Sequence, residues 1–149
     1  MPIETGIWKL GTSPQRITYS AIESEQKLEE TLTMDLSVLS PRLMLIGRQV
    51  TTAYGKFIDM LAMDPDGDLA IIELKRGRTP REVVAQLLDY ASWVQGLTYD
   101  DIAGIYEEKN NNRALEAGFE DHFGKGPPEK LNENHELIVV SSELDPSTE

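Results

Sequence analysis

Apolar residues recur along this chain with two periods, and each period predicts a type of element. Residues 24–39 carry leucines at intervals of three and four, which predicts a helix with one buried stripe, ended by Ser40 and Pro41. Before it, GIWKL and RITYS predict two short strands on either side of a turn that contains Gly, Ser and Pro. The N-terminal part is therefore expected to be a hairpin followed by a helix.

A meander of strands is predicted over residues 43–75. The segments LMLIGRQV, KFIDMLAM and LAIIELK are rich in apolar residues, and TTAYG and DPDGD separate them as turns. Apolar residues occupy both faces of the last two strands; alternation places Ile58 and Met60 on one face and Leu61 on the other. We therefore expect both faces of the sheet to be covered.

Helices are expected in most of the remaining chain. Thr79 and Pro80 predict the N-cap and first position of a helix that runs through REVVAQLLDYASWVQ to a cap at Gly96. Two further helices are predicted over residues 100–108 and 112–123, and HELIVVSS predicts a final strand. This pattern predicts one α/β domain over residues 1–149, with a central mixed sheet of four or five strands flanked by helices.

The last residues, DPSTE, have the pattern of an N-cap and the first turn of a helix. This suggests that the native chain continues beyond Glu149.

The sequence contains no cysteine, which excludes disulfides and thiolate metal sites. It has neither a signal-peptide pattern nor an apolar run of the ~18 residues that a membrane span requires. We therefore expect a soluble, cytoplasmic protein without a membrane contact.

Charge is distributed unevenly along the chain. The formal net charge is −12; residues 42–95 carry 7 basic and 7 acidic groups, whereas residues 96–149 carry 4 and 13. An acidic chain disfavours a general nucleic-acid binder. In the neutral segment, however, basic residues are concentrated within seven positions, and they are Lys75, Arg76, Arg78 and Arg81. The three arginines are candidate phosphate contacts, and the alternative is a solvated loop and helix start.

Two carboxylates are predicted to meet in the sheet. If DPDGD forms a three-residue hairpin loop with Gly67 in the left-handed conformation, Asp59 lies opposite Glu73, and Lys75 follows on the same face. Charges inside a covered sheet are costly unless they are paired or bind an ion. An ion pair between Glu73 and Lys75 would leave Asp59 unbalanced, whereas a divalent cation would balance the set. Oxygen ligands favour Mg²⁺ or Mn²⁺.

The helix after these strands offers two polar side chains on its inward face. Gln86 and Tyr90 are spaced i and i+4, so they lie on one face together with apolar residues. Taken alone, they are interpreted as packing residues with local hydrogen bonds. Their place beside the carboxylate strand weakens that interpretation and favours a supporting role at the site.

Residues 47–94 resemble the catalytic domain of the PD-(D/E)XK nucleases, most closely the NucS-type, RecB-like branch. That family carries an Asp at the end of one strand, E-x-K on the next, Q-x-x-x-Y on the following helix and a Glu within L-E-x-x-L on the first helix. The matching residues here are Asp59, Glu73, Lys75, Gln86, Tyr90 and, in LEETL, Glu29. One departure is Ile58, which stands where the superfamily name has Pro.

The resemblance implies a restriction-endonuclease-like core and metal-dependent hydrolysis of DNA in repair or processing. It implies Asp59 and Glu73 as ligands of Mg²⁺ or Mn²⁺, Lys75 as a catalytic residue, and supporting roles for the other matched residues. The DNA could be structure-specific or single-stranded, and a homodimer or a protein partner is open.

NucS-type enzymes also have a separate N-terminal domain for dimerisation and DNA binding, for which we expect no room within these 149 residues. The alternative is a nuclease-fold module with weak or no cleavage that binds DNA or a protein, with its acidic tail as docking surface.

Overall fold

A four-stranded sheet between helical layers forms the body of the protein in the computed structural model, which describes residues 6–18, 20, 22–78 and 81–143. The elements in chain order are β1 (Ile7–Lys9), β2 (Gln15–Ile17), α1 (Glu25–Met34), a 3-10 turn (Leu36–Val38), β3 (Met44–Thr51), β4 (Phe57–Met63), β5 (Leu69–Arg78), α2 (Arg81–Val94), α3 (Tyr99–Lys109), α4 (Leu115–Phe123) and β6 (His135–Glu143). Within these described ranges, no helix combines the length and the apolar character needed to cross a membrane.

The sheet is mixed, as predicted. Its strand order is β3-β4-β5-β6; the first two neighbouring pairs are antiparallel, and β5 and β6 run parallel. The strands β1 and β2 pair with each other in a separate antiparallel hairpin, also as predicted. The sequence pattern therefore identified the strands and the mixed character of the sheet.

Two hydrophobic clusters cover the two faces of the sheet. One packs under α2, α3 and α4 and contains Leu61 and Ile71. The other packs under α1 and the 3-10 turn and contains Met60 and Ile72. Burial on both sides explains why β4 and β5 are apolar along most of their length, and it confirms the prediction that both faces are covered.

The first helix is shorter than predicted, because α1 ends at Met34 and residue 35 leaves the helix. Asp35 has an extended backbone, and its side chain accepts a hydrogen bond of 3.0 Å from the N–H of Ser37. Aspartate side chains compete with the helical backbone in this way. Of the remaining leucines of the predicted stripe, Leu36 therefore begins a 3-10 turn and Leu39 caps its end.

The predicted cap at Gly96 is wrong, because this residue does not adopt the left-handed conformation. The helix α2 ends at Val94, and the N–H of Gly96 instead donates to the carbonyl of Trp93 at 3.1 Å in a tighter turn. The N-cap predicted at Thr79 and Pro80 lies outside the described residues, as does the helix start predicted over residues 145–149.

The start of α4 also differs from the prediction. It begins at Leu115 rather than at residue 112. Asn111 and Asn112 have φ angles of 54° and 60°, and left-handed residues cannot belong to a right-handed helix. The asparagine run therefore ends α3 and delays α4.

Candidate functional site

The DPDGD hairpin sets the register of β4 against β5, as predicted. The N–H of Asp64 donates to the carbonyl of Asp68 at 2.9 Å, and Gly67 has a φ of 83°. From there the strands pair regularly, starting with Met63 opposite Leu69 and ending with Met60 opposite Ile72. The ladder thus carries the predicted register to one residue before the two carboxylates.

Side-chain hydrogen bonds replace backbone pairing beyond that point. Asp59 and Glu73 come next in the register, and the N–H of Asp59 donates to Glu73 Oε1 at 3.3 Å. The N–H of Leu74 donates to Asp59 Oδ2 at 2.9 Å. The two acidic residues are therefore neighbours, but the Asp59 carboxylate reaches the backbone of β5 in place of the regular cross-strand pair that we predicted.

Burial and like charge act together on Glu73. Glu73 is 1% exposed. Its burial is the largest cause, and the nearby Asp59 carboxylate the second, of a rise in the pKa of Glu73 to about 8, while the charge of Lys75 acts to lower it. Lys75 itself is half-buried. Among the described residues, no N···O separation within 4.0 Å joins Lys75 to either carboxylate. The direct ion pair considered from the sequence is therefore not formed.

Glu29 of α1 is connected to this pair of carboxylates through β3. Its carboxylate is buried, and Arg48 Nε lies 2.8 Å from Glu29 Oε1. Gln49 Nε2 donates to Glu29 Oε2 at 2.8 Å and to Asp59 Oδ1 at 3.4 Å. The sequence interpretation included Glu29 but missed Arg48 and Gln49. A signal was present, since these are two adjacent polar residues within an otherwise apolar strand.

The strand alternation changes at Gln49. This residue has a φ of 49°, and the next residue, Val50, pairs with Ile58. Ile58 packs in the same cluster as Val50 and Leu61, so its predicted place beside Met60 is wrong. A left-handed residue interrupts the pleat of β3, so Val50 faces the layer of α2, α3 and α4, and its cross-strand partner Ile58 shares that face.

Tyr90 anchors α2 to β4 close to the carboxylates. Its hydroxyl donates to the carbonyl of Phe57 at 2.8 Å and accepts from Gln86 Nε2 at 2.6 Å. Burial, and to a smaller extent the negative charges of Glu73 and Asp59, raise the pKa of Tyr90, so its hydroxyl stays a neutral donor. The two residues predicted on one helix face therefore act as one hydrogen-bonded unit.

The predicted phosphate contacts lie at the end of the carboxylate strand β5 and at the start of α2. Arg76 and Arg81 are exposed, and within the described part of the chain neither forms an ion pair. The backbone N–H of Arg76 donates to Glu25 Oε1 at 3.1 Å. The side chain of Arg78 lies outside the described part of the structure. Two of the three arginines are thus free to contact an anionic ligand.

The donors at this site are oxygens. In the part of the chain that the structure describes, no three His, Cys, Asp or Glu side chains come together around a possible metal position. Two adjacent carboxylates are nevertheless the donors that Mg²⁺ commonly takes from a protein when waters and a substrate phosphate supply the other ligands. The chemistry of Asp59 and Glu73 therefore fits a hard cation whose other ligands are waters or a substrate phosphate.

Comparison with known families shows what this arrangement belongs to. The family described as the endonuclease NucS C-terminal domain matches residues 24–116, a range that contains Glu29, both central carboxylates and Tyr90. The chain belongs to this family. An endonuclease NucS from Methanopyrus kandleri is 26% identical over 97 residues, which cover 65% of this chain and 37% of that relative.

Two solved structures share the fold of this NucS C-terminal domain. A repair endonuclease from Pyrococcus abyssi superposes with a TM-score of 0.52 at 18% identity, over 88% of this chain and 43% of that one. The protein in a structure of an EndoMS-dsDNA2 complex superposes with a TM-score of 0.50 at 19% identity, over 95% of this chain and 57% of that one. The chain therefore spans less than two thirds of the length of each of these similar proteins.

Proposed function

We propose that this NucS C-terminal domain is a PD-(D/E)XK nuclease with a restriction-endonuclease-like core. It hydrolyses phosphodiester bonds of DNA with Mg²⁺ or Mn²⁺, in DNA repair or processing. The observation that carries the proposal is the adjacent pair Asp59 and Glu73, of which Glu73 is fully buried. Among the described residues, no basic side chain forms an ion pair with either carboxylate. Two such carboxylates destabilise a fold when both are ionised unless a cation compensates them, and the raised pKa of Glu73 reflects this cost.

Asp59 and Glu73 are the proposed metal ligands. The cation, when bound, supplies a more acidic water and screens the charge of the phosphate. Lys75 follows Glu73 by two residues in β5, and the ammonium of this half-buried residue is proposed to orient the attacking water and to stabilise the charge that develops on the phosphate. Its incomplete burial leaves it accessible to a substrate.

Three further residues support this group. Tyr90 donates to the carbonyl of Phe57 and Gln86 donates to Tyr90, so the pair fixes β4 two residues before Asp59. Glu29 is joined to Asp59 through Gln49. Residues whose rotamers are locked by such bonds maintain the geometry that a reaction requires. We assign them supporting roles for this reason.

DNA is the proposed substrate and partner. The relatives are named as endonucleases, and one similar structure is described as a complex with dsDNA. The exposed Arg76 lies at the end of β5 and the exposed Arg81 begins α2, where they can contact phosphates, and Arg78 is proposed to join them. This basic rim would locally offset the acidity of the rest of the chain.

The alternative is a module that binds DNA or a protein partner and cleaves weakly or not at all. A net charge of −12 and a match to only 37% of the curated relative favour this alternative, because the remaining parts of such a protein could supply DNA affinity. A homodimer could do the same.

A cleavage assay on defined substrates separates these functions. Labelled single-stranded, duplex, mismatched, flapped and branched DNA would be incubated with the wild type and with Asp59→Asn, in Mg²⁺, Mn²⁺ or EDTA. We expect metal-dependent products from at least one DNA with the wild type and none with Asp59→Asn. Binding without cleavage under every condition would support the module. An absence of both binding and cleavage would contradict the nuclease and the DNA-binding module, and would leave only a module that binds a protein partner.

A further inference from the structure

Gln49 has an unusual backbone for its place in the fold. Four non-glycine residues in the described part of the chain have positive φ angles, and the other three are Asn111, Asn112 and Asn132, which lie outside helices and strands. Asparagine tolerates the left-handed region, whereas glutamine is disfavoured there. Gln49 has a φ of 49° within β3. Such strain persists where the surrounding structure enforces it, often at functional sites.

The side chain of Gln49 gives a reason for this conformation. Its amide nitrogen carries two hydrogens and donates to two different carboxylates, Glu29 Oε2 at 2.8 Å and Asp59 Oδ1 at 3.4 Å. The group is neutral, so it links the two acids without adding to their charge. Because Leu74 already holds the other oxygen of Asp59, the amide fixes the remaining one.

A residue from α3 holds the backbone of Gln49 in place. Lys109 Nζ donates to the carbonyl of Gln49 at 3.2 Å. The aliphatic part of Lys109 lies over Gly47, where an added Cβ would come within 2.6 Å of Lys109 Cγ. The missing side chain at Gly47 therefore leaves room for Lys109, and Lys109 in turn reaches the strained carbonyl.

We propose that Gln49 is a positioning residue whose amide fixes the carboxylates of Glu29 and Asp59 relative to each other, with Lys109 locking the backbone conformation that this requires. The inference rests on the proposed function, in which Asp59 is a metal ligand. Lys109 does not act on the cation or the substrate in this scheme; it acts through Gln49 alone. Partners that orient metal ligands typically change metal affinity by about 10- to 100-fold when they are removed.

The test is the affinity for Mn²⁺ without DNA, measured by titration calorimetry on the full chain. The variants are Asp59→Asn, Gln49→Asn and Lys109→Met. Asparagine keeps an amide and tolerates the left-handed backbone, but it is one methylene too short to reach both acids. Methionine keeps the aliphatic stem over Gly47 and removes only the ammonium group. Lys125→Met, an exposed lysine outside helices and strands, controls for the lost charge.

We expect the dissociation constant for Mn²⁺ to rise by about tenfold or more in Gln49→Asn and in Lys109→Met, and to stay unchanged in Lys125→Met. A merely structural role would lower the melting temperature of these variants and leave the dissociation constant of the folded protein unchanged. If the wild type binds Mn²⁺ through Asp59 but the dissociation constant is unchanged in Gln49→Asn and Lys109→Met, this inference is overturned and the proposed metal site is not. If the wild type does not bind Mn²⁺, or if Asp59→Asn binds it equally well, the proposed metal site is overturned and this inference with it.

Discussion

Leu74 donates its backbone N–H to Asp59 Oδ2 at 2.9 Å, so that an acidic side chain takes the place of a backbone acceptor at the end of the β4–β5 ladder. This bond ties the position of the carboxylate to the pairing of two strands. The register of those strands is set at their other end by the hairpin at Gly67. A local turn therefore determines where a candidate metal ligand lies.

The raised pKa of Glu73 predicts how the stability of the metal-free protein depends on pH. The pKa rises from an ordinary value of 4.5 to about 8 on folding, so between these values the folded state keeps a proton that the unfolded state releases. The free energy of unfolding should therefore fall as the pH rises from about 5 to 8, by at most about 1.4 kcal/mol per pH unit. Urea unfolding at a series of pH values measures this slope.

Glu73→Gln provides the control, because an amide at this position does not titrate. The slope between pH 5 and 8 should be smaller in this variant than in the wild type. Equal slopes for both proteins would show that Glu73 does not take up a proton on folding.

Metal binding should counteract this pH dependence. Carboxylates bind a cation in their ionised form, so Mg²⁺ must displace the proton that the pair retains. Millimolar Mg²⁺ should therefore raise the melting temperature, and the rise should be larger at pH 8.5 than at pH 6. Asp59→Asn should lose most of this effect in thermal unfolding experiments. A rise of the same size in the variant would argue against a specific site.

The hairpin at Gly67 predicts a difference between two glycine substitutions. Gly67 and Gly55 both have positive φ angles, so Ala at either position costs about 1 to 2 kcal/mol from the backbone. An added Cβ would also meet Leu131 Cδ2 at 2.6 Å at Gly67, but no atom within 4 Å at Gly55. Gly67→Ala should therefore lose about 1 kcal/mol more than Gly55→Ala in chemical unfolding. Equal losses would contradict the packing of Leu131 on the hairpin.

The sequence predicted the strands around the carboxylates well because their signals are local. The positions of Pro65 and Gly67 define the turn, and the turn defines which residues of β4 and β5 face each other. The helix position of Tyr90 relative to Gln86 was likewise available from spacing alone. These features depend on residues that are close together in the chain.

The rest of the site depends on contacts between distant residues. Gln49 is joined to Glu29 from α1 and to Lys109 from α3, and although the polar pair at residues 48 and 49 marks the position, it does not indicate either partner. Alternation assumes a regular pleat, so the left-handed Gln49 made the predicted face of Ile58 wrong. A strained conformation that tertiary contacts enforce cannot be read from local propensity.

The exposed arginines predict a change in the salt dependence of DNA binding. Arg76→Ala combined with Arg81→Ala removes two proposed phosphate contacts, so log Kd should vary less steeply with log salt, by roughly one unit of slope per contact. Fluorescence anisotropy with labelled DNA measures both slopes. Lys125→Ala, an exposed lysine in the acidic C-terminal part, is the control and should leave the slope unchanged. A control variant that flattens the slope equally would indicate a nonspecific effect of net charge.

The central claim is that Asp59, Glu73 and Lys75 form a hydrolytic site, and Lys75→Ala tests it most directly. This substitution removes the proposed transition-state contact but keeps both carboxylates, so chemistry and binding should separate. The measurement is the single-turnover rate of cleavage of a bound DNA in Mg²⁺ or Mn²⁺, together with the Kd for the same DNA. We predict that the cleavage rate of Lys75→Ala falls by about 100-fold or more while its Kd changes by less than about fivefold. A wild type that binds the DNA without cutting it, or a variant that cuts as fast as the wild type, would contradict the claim.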